Sequence, residues 1–195
     1  MKKKNKTPQR LTTCGAIQDS DEYRSKTSSA ARSLYDTVQP CQETTPDKKS
    51  DGRAISVRIF VKGICTPTNP GGFACWGWMA LNGQVHVIAR ECGCIGQGVG
   101  MSSAVAEYQA VIHALTWVDD RKARVELFTD SHVLFNQVSG KWLCSAPHLL
   151  PLCEHVIQLM DNTHAHLQLI AAHLNGSALG LCHQAYTKAA REGAR

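Results

Sequence analysis

Two carboxylates stand where a divalent cation could be held. Glu107 falls in the early turns of the segment Ser102 to Val118, whose apolar residues recur at helical spacing, and Asp130 follows directly on the strand-like run Arg124 to Thr129. A carboxylate at the C-terminal end of a strand and another on a neighbouring helix can converge on one pole of a sheet. Carboxylates so grouped repel one another, and a divalent cation holds them together in Mg²⁺-assisted phosphodiester hydrolysis. Each also has an ordinary structural reading, because a strand-end Asp caps the next helix and a Glu near a helix start complements its dipole.

The elements that would position these groups follow from periodicity. Ala54 to Lys62 alternates β-branched and polar residues, Phe73 to Leu81 is aromatic and apolar, and Gln84 to Arg90 alternates again after a short Asn82-Gly83 turn. This predicts three strands with a hairpin between the second and third. Val105, Tyr108, Ile112 and Leu115 then mark a helix, with Ser102 or Ser103 as its N-cap. A fourth strand over Arg124 to Thr129 leads into a helix from Ser131 to Val138 that stops at Ser139-Gly140. A third helix from His148 to Met160, a fifth strand from His166 to Ala171 and a last helix from Leu181 to Arg191 complete the pattern. The fold class is α/β: a mixed five-stranded sheet, three antiparallel strands and then alternating helix and strand, flanked by helices.

The chain of 195 residues carries a formal charge of +5, and the surplus is uneven, since residues 1–53 hold 11 of the 21 basic and 7 of the 16 acidic side chains. That segment is too poor in apolar residues for a core and is expected to be a disordered basic extension ahead of a folded domain over 54–195. Its lysines suit either a solvated arm or one that neutralises phosphates or docks a protein partner. No apolar run approaches the roughly 20 residues of a membrane span, and the Lys2-Lys3-Lys4-Asn5-Lys6 start leads into no apolar stretch, so neither export nor membrane insertion is expected. The nine cysteines, 14, 41, 65, 75, 92, 94, 144, 153 and 182, read as reduced thiols of an intracellular, cytoplasmic protein. Cys92-Gly93-Cys94 lacks the companion ligands of a zinc site.

The order and context of particular residues carry more. Lys62-Gly63 stands ahead of a loop ending in Asn69-Pro70-Gly71-Gly72, Ala106-Glu107-Tyr108 lies on the first helix, and Thr129-Asp130-Ser131 ends the fourth strand, followed by Asn136 to Trp142. Over about residues 55 to 191 the chain resembles the type 1 ribonuclease H family, the ribonuclease H-like fold. The resemblance implies an RNA:DNA hybrid as ligand and cleavage of its RNA strand with Mg²⁺ or Mn²⁺. It also implies four metal-binding carboxylates, of which Glu107 and Asp130 supply the second and third.

The departures from that pattern bear on activity. The first carboxylate falls on Lys62 and the fourth, by position in the last helix, on His183. Asp51-Gly52 is a tempting substitute, but it precedes the strand and is uncoupled from the loop; the active-enzyme alternative would draw on Glu107, Asp130, His183 and a carboxylate from elsewhere such as Asp51. A cation a few ångströms from a metal opposes it by about 4 kcal/mol for each unit charge at an effective dielectric near 20. Lys62 can instead pair with Glu107 and Asp130, or contact a phosphate as a point charge. His183 can still ligate a divalent ion, although Mg²⁺ prefers oxygen. His173 matches a loop histidine that assists proton transfer in some members, and equally suits a polar residue at a strand end.

For nucleic-acid contact the resemblance implies Asn69 on a phosphate, Ser103-Ala104 where an amide pair would read the minor groove, and Lys141-Trp142 along the other strand. Trp142 also suits a core or helix-covering role. The leading expectation is a hybrid- or duplex-binding protein with a degenerate metal site and impaired or absent catalysis. An active divalent-metal ribonuclease H and a protein-interaction subunit of a larger complex are the alternatives.

Overall fold

The computed structural model describes residues 13–14, 56–119 and 124–193. Its elements in chain order are β1 (Thr13–Cys14), β2 (Ser56–Thr66), β3 (Gly71–Asn82), β4 (Val87–Gly98), α1 (Ser103–Asp119), β5 (Arg124–Thr129), α2 (His132–Val138), α3 (Leu150–Thr163), β6 (His166–Leu169), a 3₁₀ turn (Ala172–Asn175) and α4 (Gly176–Gly193). The sheet order is β1-β4-β3-β2-β5-β6. Neighbours from β1 through β2 are antiparallel, whereas β2–β5 and β5–β6 are parallel.

The expected mixed sheet is present with one strand more. Thr13 and Cys14 add a short sixth strand on the edge of β4, opposite Gly93 and Cys92. Apart from these two residues, the extension expected over 1–53 lies outside the described residues. No helix among the described residues is long and apolar enough to cross a membrane.

Several boundaries differ from the sequence expectation, and β2 runs on past Lys62 to Thr66 because β3 pairs with it throughout. β4 runs to Gly98 rather than Arg90, because Cys92 and Cys94 continue the inward alternation opposite Gly77 and Cys75, and backbone pairing tolerates the intervening glycines. The preceding turn is longer than Asn82-Gly83: the Asn82 side-chain oxygen accepts from the amides of Gln84 and His86, each at 3.0 Å, and Val85 adopts a left-handed φ of 65°. The last helix begins at Gly176 instead of Leu181, since Ala178 already belongs to the face packed on the sheet.

Each face of the sheet buries its own cluster. Under α1 and α3 lie Val57, Ile59, Val61, Trp76, Trp78, Tyr108, Val111, Leu115, Leu127 and Val156. Under α4 lie Cys75, Met79, Leu81, Cys92, Leu181 and Ala185. Two glycines let both helices approach the strands closely at one level. A Cβ on Gly63 would meet the backbone nitrogen of Glu107 at 2.2 Å, and a Cβ on Gly77 would meet the Leu181 Cβ at 2.7 Å. Lys62 pairs with Gly77 and Gly63 with Trp76 in the β2–β3 register, so α1 and α4 grip the sheet on opposite faces beside Lys62.

Candidate functional site

The close crossing at Gly63 brings Glu107 to the pole where β2 and β5 run in parallel. Lys62 alternates with Val61, so as Val61 packs into the α1-side core, Lys62 turns to the other face. Asp130 directly follows β5, and Ser131 caps α2 by accepting the Leu134 amide at 3.2 Å. The sequence alternative of Asp130 as that cap is therefore filled by Ser131.

These side chains form two joined polar pairs. Lys62 Nζ donates to Asp130 Oδ2 at 2.5 Å, with side-chain exposures of 19% and 6%. Asn175, at the end of the 3₁₀ turn, donates its amide to the other Asp130 oxygen at 2.7 Å and to the Val61 carbonyl at 2.9 Å. Its own Oδ1 is buried with no hydrogen-bond partner among the described residues. Ser131 Oγ donates to Glu107 Oε2 at 2.5 Å. Burial pushes the Glu107 carboxyl up to about 7; the Ser131 hydroxyl and the Lys62 ammonium pull it down, and Asp130 adds to the rise.

This donor set does not fit Mg²⁺ or Mn²⁺. Both Asp130 oxygens already accept, one from an ammonium and one from an amide, and a divalent ion close to the Lys62 ammonium would meet like charge. Among the described residues no group of three His, Cys, Asp or Glu side chains could hold a metal ion. His183 is exposed on α4, while Ala178, Leu181, Cys182 and Ala185 turn inward. It does not join Glu107 and Asp130 in a ligand set, and the residue from this end of the chain that reaches Asp130 is Asn175.

Asn175 and Ser131 were missed by the sequence reading. Ser131 was legible as a cap, but its bond to Glu107 needs a contact between residues 24 apart. Asn175 lies two positions after His173, in a segment with no local signal for a buried amide. His173 itself is exposed on the 3₁₀ turn.

The residues proposed for nucleic-acid contact divide into two places. Asn69 and Ser103 bind each other, Asn69 Nδ2 donating to Ser103 Oγ at 3.0 Å and the Ser103 amide donating to Asn69 Oδ1 at 3.1 Å. This reciprocal pair ties the β2–β3 loop to the start of α1, whose N-cap is Ser102. Lys141 sets its ammonium 4.7 Å over the Phe135 ring. Trp142 is 52% exposed, so it is not the core residue that the sequence also allowed.

A family model described as reverse transcriptase-like matches residues 77–185, more than half of the chain. Among solved structures, the N-terminal ribonuclease H domain of a Mycobacterium tuberculosis protein is 24% identical with a TM-score of 0.64, covering 72% of this chain and 99% of its own. Ribonuclease H1 of the halophilic archaeon Halobacterium salinarum is 24% identical with a TM-score of 0.62, covering 69% of this chain and 99% of its own. A ribonuclease H1 from a compost metagenome, solved in complex with an RNA/DNA hybrid, is 23% identical with a TM-score of 0.62, covering 68% of this chain and 98% of its own. The mixed sheet, the helices on both its faces and the matched model agree: the chain belongs to the reverse transcriptase-like family and has the ribonuclease H-like fold.

Proposed function

We propose that this domain binds an RNA:DNA hybrid or a related nucleic-acid duplex and has lost most or all of the power to hydrolyse it. The observation that carries this reading is the Lys62–Asp130 ion pair, in which an ammonium neutralises a carboxylate that a divalent cation would need. Glu107, with its carboxyl raised to about 7, is only partly ionised near neutrality and is a correspondingly poor ligand for a hard cation. The duplex would lie across the Asn69–Ser103 pair and the Lys141-Trp142 step. Trp142 offers an aromatic face for stacking and Lys141 a charge for phosphate. The basic surplus of residues 1–53 adds sequence-independent attraction.

The test is cleavage and retention of a labelled RNA:DNA hybrid with Mg²⁺ and then Mn²⁺, beside Lys62→Asp and a chelator control. Retention that weakens with salt and survives chelator, without cleavage by the natural protein, is the expected result. Cleavage by the natural protein that chelator abolishes overturns the reading and favours an active ribonuclease H. Failure to retain hybrid or duplex at low salt overturns the binding role and favours a protein-interaction platform.

A further inference from the structure

Beneath α4, on the sheet face beside Lys62, several thiols gather. Cys75 and Cys92 are buried in this layer, Cys94 packs against it half-buried, and Cys182 is buried on α4 above it. Cys65, Cys75, Cys92, Cys94, Cys144, Cys153 and Cys182 are free thiols. Cys75 and Cys94 are direct cross-strand partners in the β3–β4 register, beside a register shift between Ala74 and Cys75. Directly opposed residues of antiparallel strands hold their Cα atoms about 4.5–5.5 Å apart, within the span a disulfide bridges.

We propose that Cys75 and Cys94 form an oxidisable dithiol, with Cys94 the thiol that peroxide attacks and Cys75 the thiol that resolves it into an intrachain disulfide. This assignment is independent of the nucleic-acid reading. Among the four thiols of this layer Cys94 is the partly exposed one, so an oxidant in solvent reaches it first. The hydrogen bond from Cys75 holds the Cys94 thiol below its ordinary value, and the same bond together with burial pushes Cys75 well above. Cys94 Sγ donates to the Gly96 carbonyl at 3.9 Å, and with Cys75 as its cross-strand neighbour a Cys94 thiolate has a thiol beside it. The remaining thiols are placed less well for a bond to Cys94: Cys92 is opposite Gly77, and Cys182 Sγ donates to the Lys62 carbonyl at 3.2 Å.

The chemistry balances in two steps. The Cys94 thiolate attacks one oxygen of hydrogen peroxide, breaking the O–O bond; protonation of the departing hydroxide gives water and leaves a sulfenic acid. Cys75 then attacks the sulfenic sulfur, forming the S–S bond and releasing a second water. Two thiols and one peroxide give one disulfide and two waters. The bond staples β3 to β4 two residue pairs from Gly77, where α4 rests on the sheet.

The full chain, reduced and freed of reductant, is treated with hydrogen peroxide, blocked with a maleimide, digested with trypsin and weighed. Arg90 is the one Lys or Arg between Cys75 and Cys94, so the bond joins peptide 63–90 to peptide 91–121 with loss of two hydrogens. The expected result is this linked species, assigned by fragmentation to Cys75–Cys94, retained in Cys65→Ser and absent in Cys94→Ser. A second variant, Cys75→Ala, should instead accumulate a Cys94 sulfenic acid trapped by dimedone. A link to another cysteine, or a Cys94 oxidised to sulfinic acid in the natural chain without cross-linking, overturns the proposal. So does recovery of both thiols unchanged when an exposed model thiol in the same tube is fully consumed.

Discussion

Replacing Lys62 by Met removes one partner of a pair whose other member, Asp130, has a side chain only 6% exposed. A charge stranded in this way loses its Coulombic partner and keeps its desolvation cost, which in buried pairs amounts to about 3–5 kcal/mol. Two features reduce the figure here. Lys62 is 19% exposed, so water screens part of the interaction, and Asn175 continues to donate to Asp130. The expected loss at pH 7 is about 2–3 kcal/mol, which for a domain of this size lowers Tm by roughly 6–12 °C. Adding Asp130→Asn to Lys62→Met should restore most of the stability, because no orphan charge then remains. The assay is urea unfolding of the natural protein, both single variants and the double variant at pH 7, giving a coupling free energy from the cycle. A coupling below about 0.5 kcal/mol would place the pair among ordinary surface bridges and refute the reasoning.

Glu107 has a raised folded-state value of about 7 against 4.5 for the ordinary group, so the folded chain binds this proton more tightly than the unfolded one. Its contribution makes stability fall as pH rises from about 4.5 to 7 and level off above; Glu107→Gln should flatten that slope by up to about 3 kcal/mol in urea unfolding across the window. Ser131→Ala removes both an N-cap and the hydroxyl that donates to Glu107, and should cost about 1–2 kcal/mol while moving the Glu107 titration to higher pH by carboxyl-resolved NMR. Gly63→Ala forces a methyl against the α1 backbone and should destabilise by at least about 3 kcal/mol, read as a lowered urea midpoint or loss of soluble protein. Trp142→Ala, at a half-exposed position, should leave Tm within about 2 °C and weaken hybrid retention several-fold.

Much of the architecture was legible because its signals are local. Alternation marked β2, an aromatic and apolar run marked β3, the 3.6-residue recurrence of Val105, Tyr108, Ile112 and Leu115 marked α1, and Ser139-Gly140 marked the end of α2. The errors fell where a nonlocal partner overrides local composition. β4 outruns its alternating segment because it has β3 to pair with, and the loop before α4 is short because Ala178 packs against the strand at Gly77.

What the sequence determined by itself was the family pattern and the place of a lysine within it, since residue order and spacing are properties of the chain alone. Those residues say that a positive charge stands beside two carboxylates. Which carboxylate it binds was decided by the fold: parallel pairing of β2 with β5 sets Asp130 against Lys62, and the grip of α1 at Gly63 turns Glu107 to Ser131 instead. Asn175 on Asp130 and Cys75 opposite Cys94 belong to the same class, contacts between residues 45 and 19 positions apart. They exist only because a register and a helix crossing bring distant backbone together, and burial then sets the charge state of what is enclosed.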